Sequence, residues 1–302
     1  MRLSIIIPVY RGKDILKELF RRISEAMSAE PDYEILLICD GCDRETLRVI
    51  NELIKDNASK IQVFKLANNY GQQRALQFGF TKASGDLIIT MDEDLQHDPA
   101  DIIKLVKKQK EGNYDIVYGR FVNLMHNGIR NFFSVVIRRT LKQSIPSLYE
   151  NYSPYRLIKR DIAIRTSSMV CPYTFIDDFL SRITNKIAFV DINHFKRLSG
   201  RSSYTLSKLF RHGLFILFAY SGIISWLLVM AGFFILAGTA LYVLSVSSPY
   251  SESAWILTNT TIIGIFGAGL LLVIFSLLGN LINHRNIILN TRPVKLANED
   301  TI

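Results

Sequence analysis

The chain has 302 residues, of which 49% are hydrophobic, with 36 Lys and Arg against 27 Asp and Glu, a formal net charge of +9 and three cysteines. That length and apolar content exclude a disordered chain, the odd cysteine count excludes a complete disulfide framework, and one large or two small domains remain open. The basic balance raises nucleic acid as a partner. However, the cations are scattered over helical segments or gathered at Lys196, Arg197, Arg201, Lys208 and Arg211 beside an apolar region. That placement suits an anionic bilayer or lipid better than nucleic acid.

Leu3–Pro8 is a continuous apolar run closed by proline, which predicts a buried strand. Ile15, Leu16, Leu19, Phe20, Ile23 and Met27 fall at helical spacing and predict a helix over Asp14–Met27. A second strand follows at Tyr33–Cys39, ending in Asp40-Gly41, then a helix over Glu45–Ile54 and a third strand at Ile61–Leu66. Gln72–Lys82 reads as a helix, and Leu87–Met91 as a fourth strand running into Asp92. Pro99 opens the next helix at its favoured early position with Asp98 as its cap, and Tyr114–Tyr118 is a fifth strand. Strands alternating with helices predict an α/β fold with a mainly parallel, right-handed sheet buried on both faces. In such sheets ligands bind beyond the carboxyl ends of the strands, so the residues just after each strand carry the chemistry.

Residues 121–200 are less regular, with a basic amphipathic helix predicted over Ile129–Gln143 and a strand over Ile187–Phe195. Leu206–Tyr220 mixes Lys208, Arg211 and His212 with leucines and phenylalanines, as expected of a helix lying in a membrane interface. From Gly213 to Asn283 the only charged side chain is Glu252. Ile223–Val246 and Ile256–Ile282 are each long enough to cross a bilayer, at roughly 20 residues per crossing. The loop between them lacks Lys and Arg, whereas Lys208 and Arg211 precede the pair and Arg285, Arg292 and Lys295 follow it. The positive-inside rule then places both outer ends, and the preceding domain, in the cytoplasm. Neither span carries an ionisable residue, so the pair reads as a hairpin anchor and not a channel. The chain enters its first strand directly, so no cleavable signal is expected. The expected divisions are an α/β domain over 1–205, an interfacial helix over 206–222, a two-helix anchor over 223–282 (223–246 and 256–282), and a cytoplasmic tail over 283–302.

Three carboxylates stand at strand ends: Asp40 after the second, Asp92 and Asp94 after the fourth. In an extended segment Asp92 and Asp94 project to one side and Glu93 turns away. Two carboxylates, completed by diphosphate oxygens and water, form a natural shell for Mg²⁺ or Mn²⁺. Short acidic runs at strand ends also serve as helix caps, but the apolar strand before this one and Leu95-Gln96 after it favour the metal reading. Cys39 and Cys42 flank Asp40 without the second pair that zinc would need. His97 reads as a loop neighbour more than a metal ligand, and His194 stays open between a phosphate contact and a strand end.

Pro8-Val9-Tyr10, Asp40-Gly41, Asn69-Tyr70-Gly71-Gln72, Gly85-Asp86 and Met91-Asp92-Glu93-Asp94-Leu95-Gln96 follow one another in an order and spacing that resembles family 2 GT-A glycosyltransferases. Asp-x-Asp-Leu-Gln, Tyr118-Gly119-Arg120, Tyr155-Arg156-Leu157, the run from Arg197 to Tyr204 and Arg292-Pro293 resemble its polyprenyl-phosphate branch, which includes dolichol-phosphate mannose synthase. The resemblance implies a Rossmann-like GT-A domain followed by an interfacial helix and two C-terminal transmembrane helices. It implies a nucleotide pocket at Pro8, Tyr10, Asp40, Asn69, Gly71 and Gln72, and a metal on Asp92 and Asp94. Gln96 would lie near the sugar or acceptor; Arg120, Arg156 and Arg197 would meet phosphates; and Ser202 and Tyr204 would lie on a closing loop. The implied reaction is a metal-dependent, inverting transfer of a sugar from a UDP- or GDP-sugar to a polyprenyl phosphate at the cytoplasmic membrane, with the anchor as a candidate homo-oligomer contact and no role for nucleic acid. A lipid-linked oligosaccharide acceptor, or a non-catalytic membrane scaffold, stay open as alternatives. The chain departs from the family pattern at Arg11-Gly12, where relatives carry Asn-Glu, at Cys39 and Cys42-Asp43, and at Ser153-Pro154, where an acidic residue is common.

Overall fold

The structure is a computed structural model and describes residues 1–29, 32–57, 59–121, 147–149, 151–169, 174–193, 195, 223–246, 252–291 and 294–297. The segments read as the Ile129–Gln143 and Leu206–Tyr220 helices, together with His194, Arg197, Ser202 and Tyr204, lie outside the described residues.

β1 (Leu3–Val9), β2 (Tyr33–Cys39), β3 (Ile61–Lys65), β4 (Leu87–Thr90), β5 (Ile116–Phe121), β6 (Arg156–Lys159) and β7 (Ile187–Ile192) form one sheet in the order β3-β2-β1-β4-β6-β5-β7. Every pairing is parallel except those of β6, which runs antiparallel to both β4 and β5. The pattern of the sequence anticipates six of these strands and misses β6, because its four residues place an arginine where a buried strand normally carries an apolar side chain.

Helices cover both faces. α1 (Leu16–Ala26), α2 (Arg44–Asn57) and α4 (Ile102–Gly112) lie on one, and α3 (Gln72–Lys82), α5 (Arg160–Ser167) and α6 (Ile176–Ile183) on the other. Alternation along β1 explains the division: Leu3, Ile5, Ile7 and Val9 join the first core, while Ile6 joins the second with Leu36, Ala75, Leu76 and Phe80. α5 and α6 have only eight residues each, too short for a periodicity argument. Asp98 caps the 3₁₀ turn Pro99–Asp101 ahead of α4, accepting from the Ala100 amide at 3.0 Å.

The strand order turns around at β1. The chain steps from β1 out to β2 and β3, then crosses back to β4 on the other side. Pairing between β1 and β4 ends at Ile6 and Thr90, and the Met91 amide donates to the Ile6 carbonyl. Pro8 follows two residues later on the same side of β1, with no amide hydrogen to offer. A crevice therefore opens between the carboxyl ends of β1 and β4.

At the opposite end of the sheet, the Glu34 carboxylate is buried. It accepts from the Ser4 hydroxyl at 2.6 Å, the Ser84 amide and hydroxyl at 2.7 and 2.9 Å, and Gln62 and Arg2 at 3.1 Å each. It thereby ties β1, β2, β3 and the α3–β4 loop together.

α7 (Ile223–Val246) and α8 (Glu252–Thr291) pack against each other and contain two stretches, Trp226–Leu244 and Thr258–Leu281, long and apolar enough to cross a membrane. Their apolar side chains point outward: Trp226, Leu236, Ile263 and Leu281 are all exposed. After α8 the chain returns to the seven-stranded sheet. Leu296 forms an antiparallel bridge with Leu66, the Ala297 amide donates to Lys65 at 2.8 Å, and Ala67 donates to Lys295 at 2.9 Å. This short segment covers the β3 edge, which would otherwise present unpaired backbone groups.

Desolvation raises the pKa of Glu34, but the hydrogen bonds from Ser4 and Ser84 and the charge of Arg2 outweigh it, and the net shift is downward. A carboxylate shifted downward stabilises the fold at pH values above its unfolded pKa, and that contribution is lost as pH falls through the folded pKa. Glu34→Gln should therefore destabilise the protein by about 1–3 kcal/mol at neutral pH. Thermal unfolding followed by circular dichroism should show the parent losing stability faster than the variant as pH falls below about 4.5.

Candidate active site

Asp92 and Asp94 leave β4 at the crevice, but not on an extended segment. Residues 93–97 turn, and Leu95 sits in the left-handed region at φ 56° with its side chain buried. A leucine pays for that backbone only where packing enforces it, and such strain collects at functional turns. The turn closes with the Gln96 amide donating to Asp94 Oδ1 at 3.1 Å. Burial first, and then the neighbouring Asp94 charge, push the Asp92 carboxyl up to about 7. Against them act the Arg156 charge and a hydrogen bond from the Gln72 side-chain amide to Asp92 Oδ1. Among the described residues no group of three or more His, Cys, Asp or Glu converges as a ready metal cage. Two repelling carboxylates with open neighbouring positions are the donor set that a hard divalent cation satisfies when a ligand's oxygens complete the shell.

Around this pair the structure gathers most of the expected residues. Tyr10 stands exposed at the end of β1, with the Arg11 guanidinium 5.1 Å from its ring centroid. Asp40, at the end of β2, is buried and accepts from the Tyr70 amide at 2.6 Å and the Gly71 amide at 2.8 Å. Burial pushes its pKa up while these two bonds pull it down, and burial prevails. Asp40 thus shapes the Asn69–Gly71 loop, and Gly71, at φ 88°, is the N-cap of α3. That geometry delivers Gln72, at the start of the helix, to Asp92. The side-chain amide of Gln72, a residue the sequence assigns to the nucleotide pocket, donates to the Asp92 carboxylate.

The arginines separate into two kinds. Arg120 is exposed at the end of β5 and pairs at 2.6 Å with Asp191, its register partner on β7. Both partners are about half exposed, so the pair is weak and readily exchanged for another anion. Arg156, expected to meet a phosphate, is 1% exposed on β6. Its guanidinium is ion-paired with buried Asp177 of α6, whose other neighbour is the Tyr118 hydroxyl, donating at 3.0 Å. Arg156 is therefore a buried counter-charge behind Asp92, because the antiparallel insertion of β6 beside β4 turns it into the core. His97 is also buried, stacked between Tyr155 at 5.0 Å and Phe121 at 5.5 Å. Beside it, the Gln96 carbonyl accepts from the Phe195 amide at 3.2 Å.

Sequence reasoning missed Asp177 and Tyr118, which become neighbours of Arg156 only through pairing of β5 with β6 and the packing of α6. It also missed the place of Glu93. That carboxylate accepts from the backbone amides of Tyr10 and Arg11, each at 3.3 Å, across the crevice. The signal available was Gly12, which leaves room for it.

The family model described as Glycosyl transferase family 2 matches residues 4–173. Undecaprenyl-phosphate 4-deoxy-4-formamido-L-arabinose transferases are 32% identical in Enterobacter sp. (strain 638) and 33% identical in Klebsiella pneumoniae (strain 342), each over 210 residues. Those matches cover 69% of this chain and 64% of each relative. A crystal structure of glucosyl-3-phosphoglycerate synthase from Mycobacterium tuberculosis, determined with Mn²⁺, UDP and glucosyl-3-phosphoglycerate, superposes with a TM-score of 0.54 at 17% identity. It covers 72% of this chain and 78% of that one, and shows the same GT-A fold.

Removing Arg156 would leave Asp177 buried and unpaired. Arg156→Ala should lower stability by roughly 3–5 kcal/mol, and Tyr118→Phe by about 1 kcal/mol. Chemical denaturation of the purified variants measures both.

Proposed function

The chain belongs to glycosyl transferase family 2, and we propose that it transfers a sugar, with inversion, from a UDP- or GDP-sugar to a polyprenyl phosphate at the cytoplasmic face of a membrane. One observation carries this reading: the Asp92–Asp94 pair stands in the β1–β4 crevice of a chain that also carries two outward-facing apolar helices of membrane length. The named activity of the curated relatives supports the same acceptor class.

In this reading the nucleotide lies between Pro8, Tyr10 and the Asn69–Gly71 loop, held in shape by Asp40. Asp92 and Asp94 hold Mg²⁺ or Mn²⁺, and the elevated pKa of Asp92 fits a cation that relieves the repulsion. The chemistry such a cation would supply, held by Asp92 and Asp94, is Lewis-acid stabilisation of charge on the departing nucleoside diphosphate. Gln72 keeps Asp92 oriented, and buried Arg156 lowers the cost of its ionisation. A phosphate monoester is already an anionic nucleophile near neutral pH, so it needs positioning more than deprotonation. Gln96 and Arg120, with Arg197, Ser202 and Tyr204, are the groups proposed to place it, since guanidinium forks grip phosphate oxygens in pairs. The contact of residues 294–297 with the β3 edge supports a hairpin anchor whose outer ends both lie on the side of the catalytic domain.

Purified protein in detergent, given undecaprenyl phosphate and a panel of UDP- and GDP-sugars with Mn²⁺ or Mg²⁺, should form a single-sugar phospholipid seen by thin-layer chromatography. Asp92→Asn and Asp94→Asn should each lower turnover about a hundredfold or more while unfolding cooperatively. Metal-dependent transfer that survives both substitutions would sink the mechanism. An extended diphospholipid product would move the acceptor to a lipid-linked oligosaccharide.

A further inference from the structure

The mechanism leaves Glu93 without a task, although it lies between its two acidic neighbours. Asp92 and Asp94 are the proposed cation ligands, whereas the Glu93 carboxylate reaches across the crevice to the opposite strand. Oε1 and Oε2 both accept from the Tyr10 amide at 3.3 Å, and Oε1 also accepts from the Arg11 amide at 3.3 Å. Successive backbone amides around one anion form a nest, and a charged acceptor makes such bonds stronger than a neutral one would. The site is also shaped for that carboxylate. A Cβ on Gly12 would lie 2.5 Å from Glu93 Oε2 and 2.9 Å from Leu16 Cγ, so position 12 admits no side chain while Glu93 is in place. Leu16 is fully buried in the core and cannot retreat.

The consequence concerns the open end of the sheet. β1 and β4 stop pairing at Ile6 and Thr90, and Pro8 contributes no amide beyond that point. Beyond the Met91 amide, Glu93 hydrogen-bonds across the crevice to the end of β1. It links the turn that presents Tyr10 directly to the acidic turn, while pairing of Val9 with β2 and the amides of Ile15 and Leu16 on the Gly12 carbonyl hold the flanks of that turn.

We infer that Glu93 is a positioning residue for the nucleotide end of the donor, clamping the Tyr10–Gly12 turn onto the acidic turn so that base and diphosphate contacts keep a fixed separation. The inference rests on the donor site placed in this crevice. Glu93 touches neither the reacting bond nor the cation. Its loss therefore weakens donor binding in ground state and transition state alike, which raises KM and leaves kcat at saturating donor.

The test uses full-length protein in detergent. Binding of UDP and of GDP with Mn²⁺ is measured by calorimetry, and donor KM and kcat by transfer to undecaprenyl phosphate, for the parent, Glu93→Gln, Glu93→Ala and Gly12→Ala. Glu93→Gln keeps the size of the side chain and one acceptor, so it serves as the variant that folds. The expected result is nucleotide binding and KM weakened about tenfold in Glu93→Ala and less in Glu93→Gln, a similar KM rise in Gly12→Ala, and kcat held within about twofold. Unchanged binding in the Glu93 variants overturns the inference, as does a lower unfolding temperature with unchanged KM, or a fall in kcat with KM unchanged. A parent that binds the nucleotide while its Glu93 variants bind equally well leaves the donor site standing and removes Glu93 from it. A parent that binds neither nucleotide overturns the donor-site reading itself.

Discussion

Two carboxylates share the end of a buried strand, Leu87–Thr90, and their repulsion sets the terms for what surrounds them. Burial and Asp94 push Asp92 up to about 7, close to neutrality. Four other elements answer that charge. α3 supplies the Gln72 amide, β6 supplies Arg156, and α6 and β5 hold Arg156 through Asp177 and Tyr118. An arginine buried to 1% exposure is costly unless paired on every side. Asp177 offsets part of that cost by pairing with Nη1 and Asp92 attracts the guanidinium at longer range, while Nε and Nη2 have no hydrogen-bond partner among the described residues. The single antiparallel strand of the sheet is what makes the arrangement possible, because only a strand lying directly beside β4 brings a guanidinium to the rear of Asp92.

The crevice depends on a second constraint, the turnaround of strand order at β1. Parallel sheets of this kind leave their ligand space where neighbouring strands diverge. Pro8 keeps the gap open by removing a donor, Asp40 holds the loop on one flank, and Glu93 spans the gap with backbone hydrogen bonds. The site is thus preorganised by hydrogen bonds made among its own loops. Leu95, in a backbone conformation that a leucine rarely adopts, marks the same preorganisation on the acidic turn.

α7 and α8 expose the leucines, isoleucines and aromatic residues that a water-soluble domain would bury, and the segment after α8 closes back onto β3. Lys295 donates its amide to the Tyr70 hydroxyl at 3.3 Å, so the segment at 294–297 touches the loop that Asp40 shapes.

What the sequence by itself determined is everything that local periodicity and composition encode. Six strands, the first four helices, the two apolar spans and the acidic pair at the end of β4 are read directly from runs of neighbouring residues, because each depends on spacing of 2 or 3.6 and on flanking Gly, Pro or Asp. The tertiary structure alone decided what depends on strand order and packing. β6 hides an arginine in a four-residue strand, so nothing local distinguishes it from a loop. Asp177 acquires its role from a contact more than twenty positions away in sequence. Glu93 lies on a turn and not on the extended segment that alternation assumes, and where it lands depends on β1 lying next to β4 and on Gly12 leaving space. Local sequence sets which groups are present and which face they take. Distance between charges is set by the sheet, and in this protein those distances define the site.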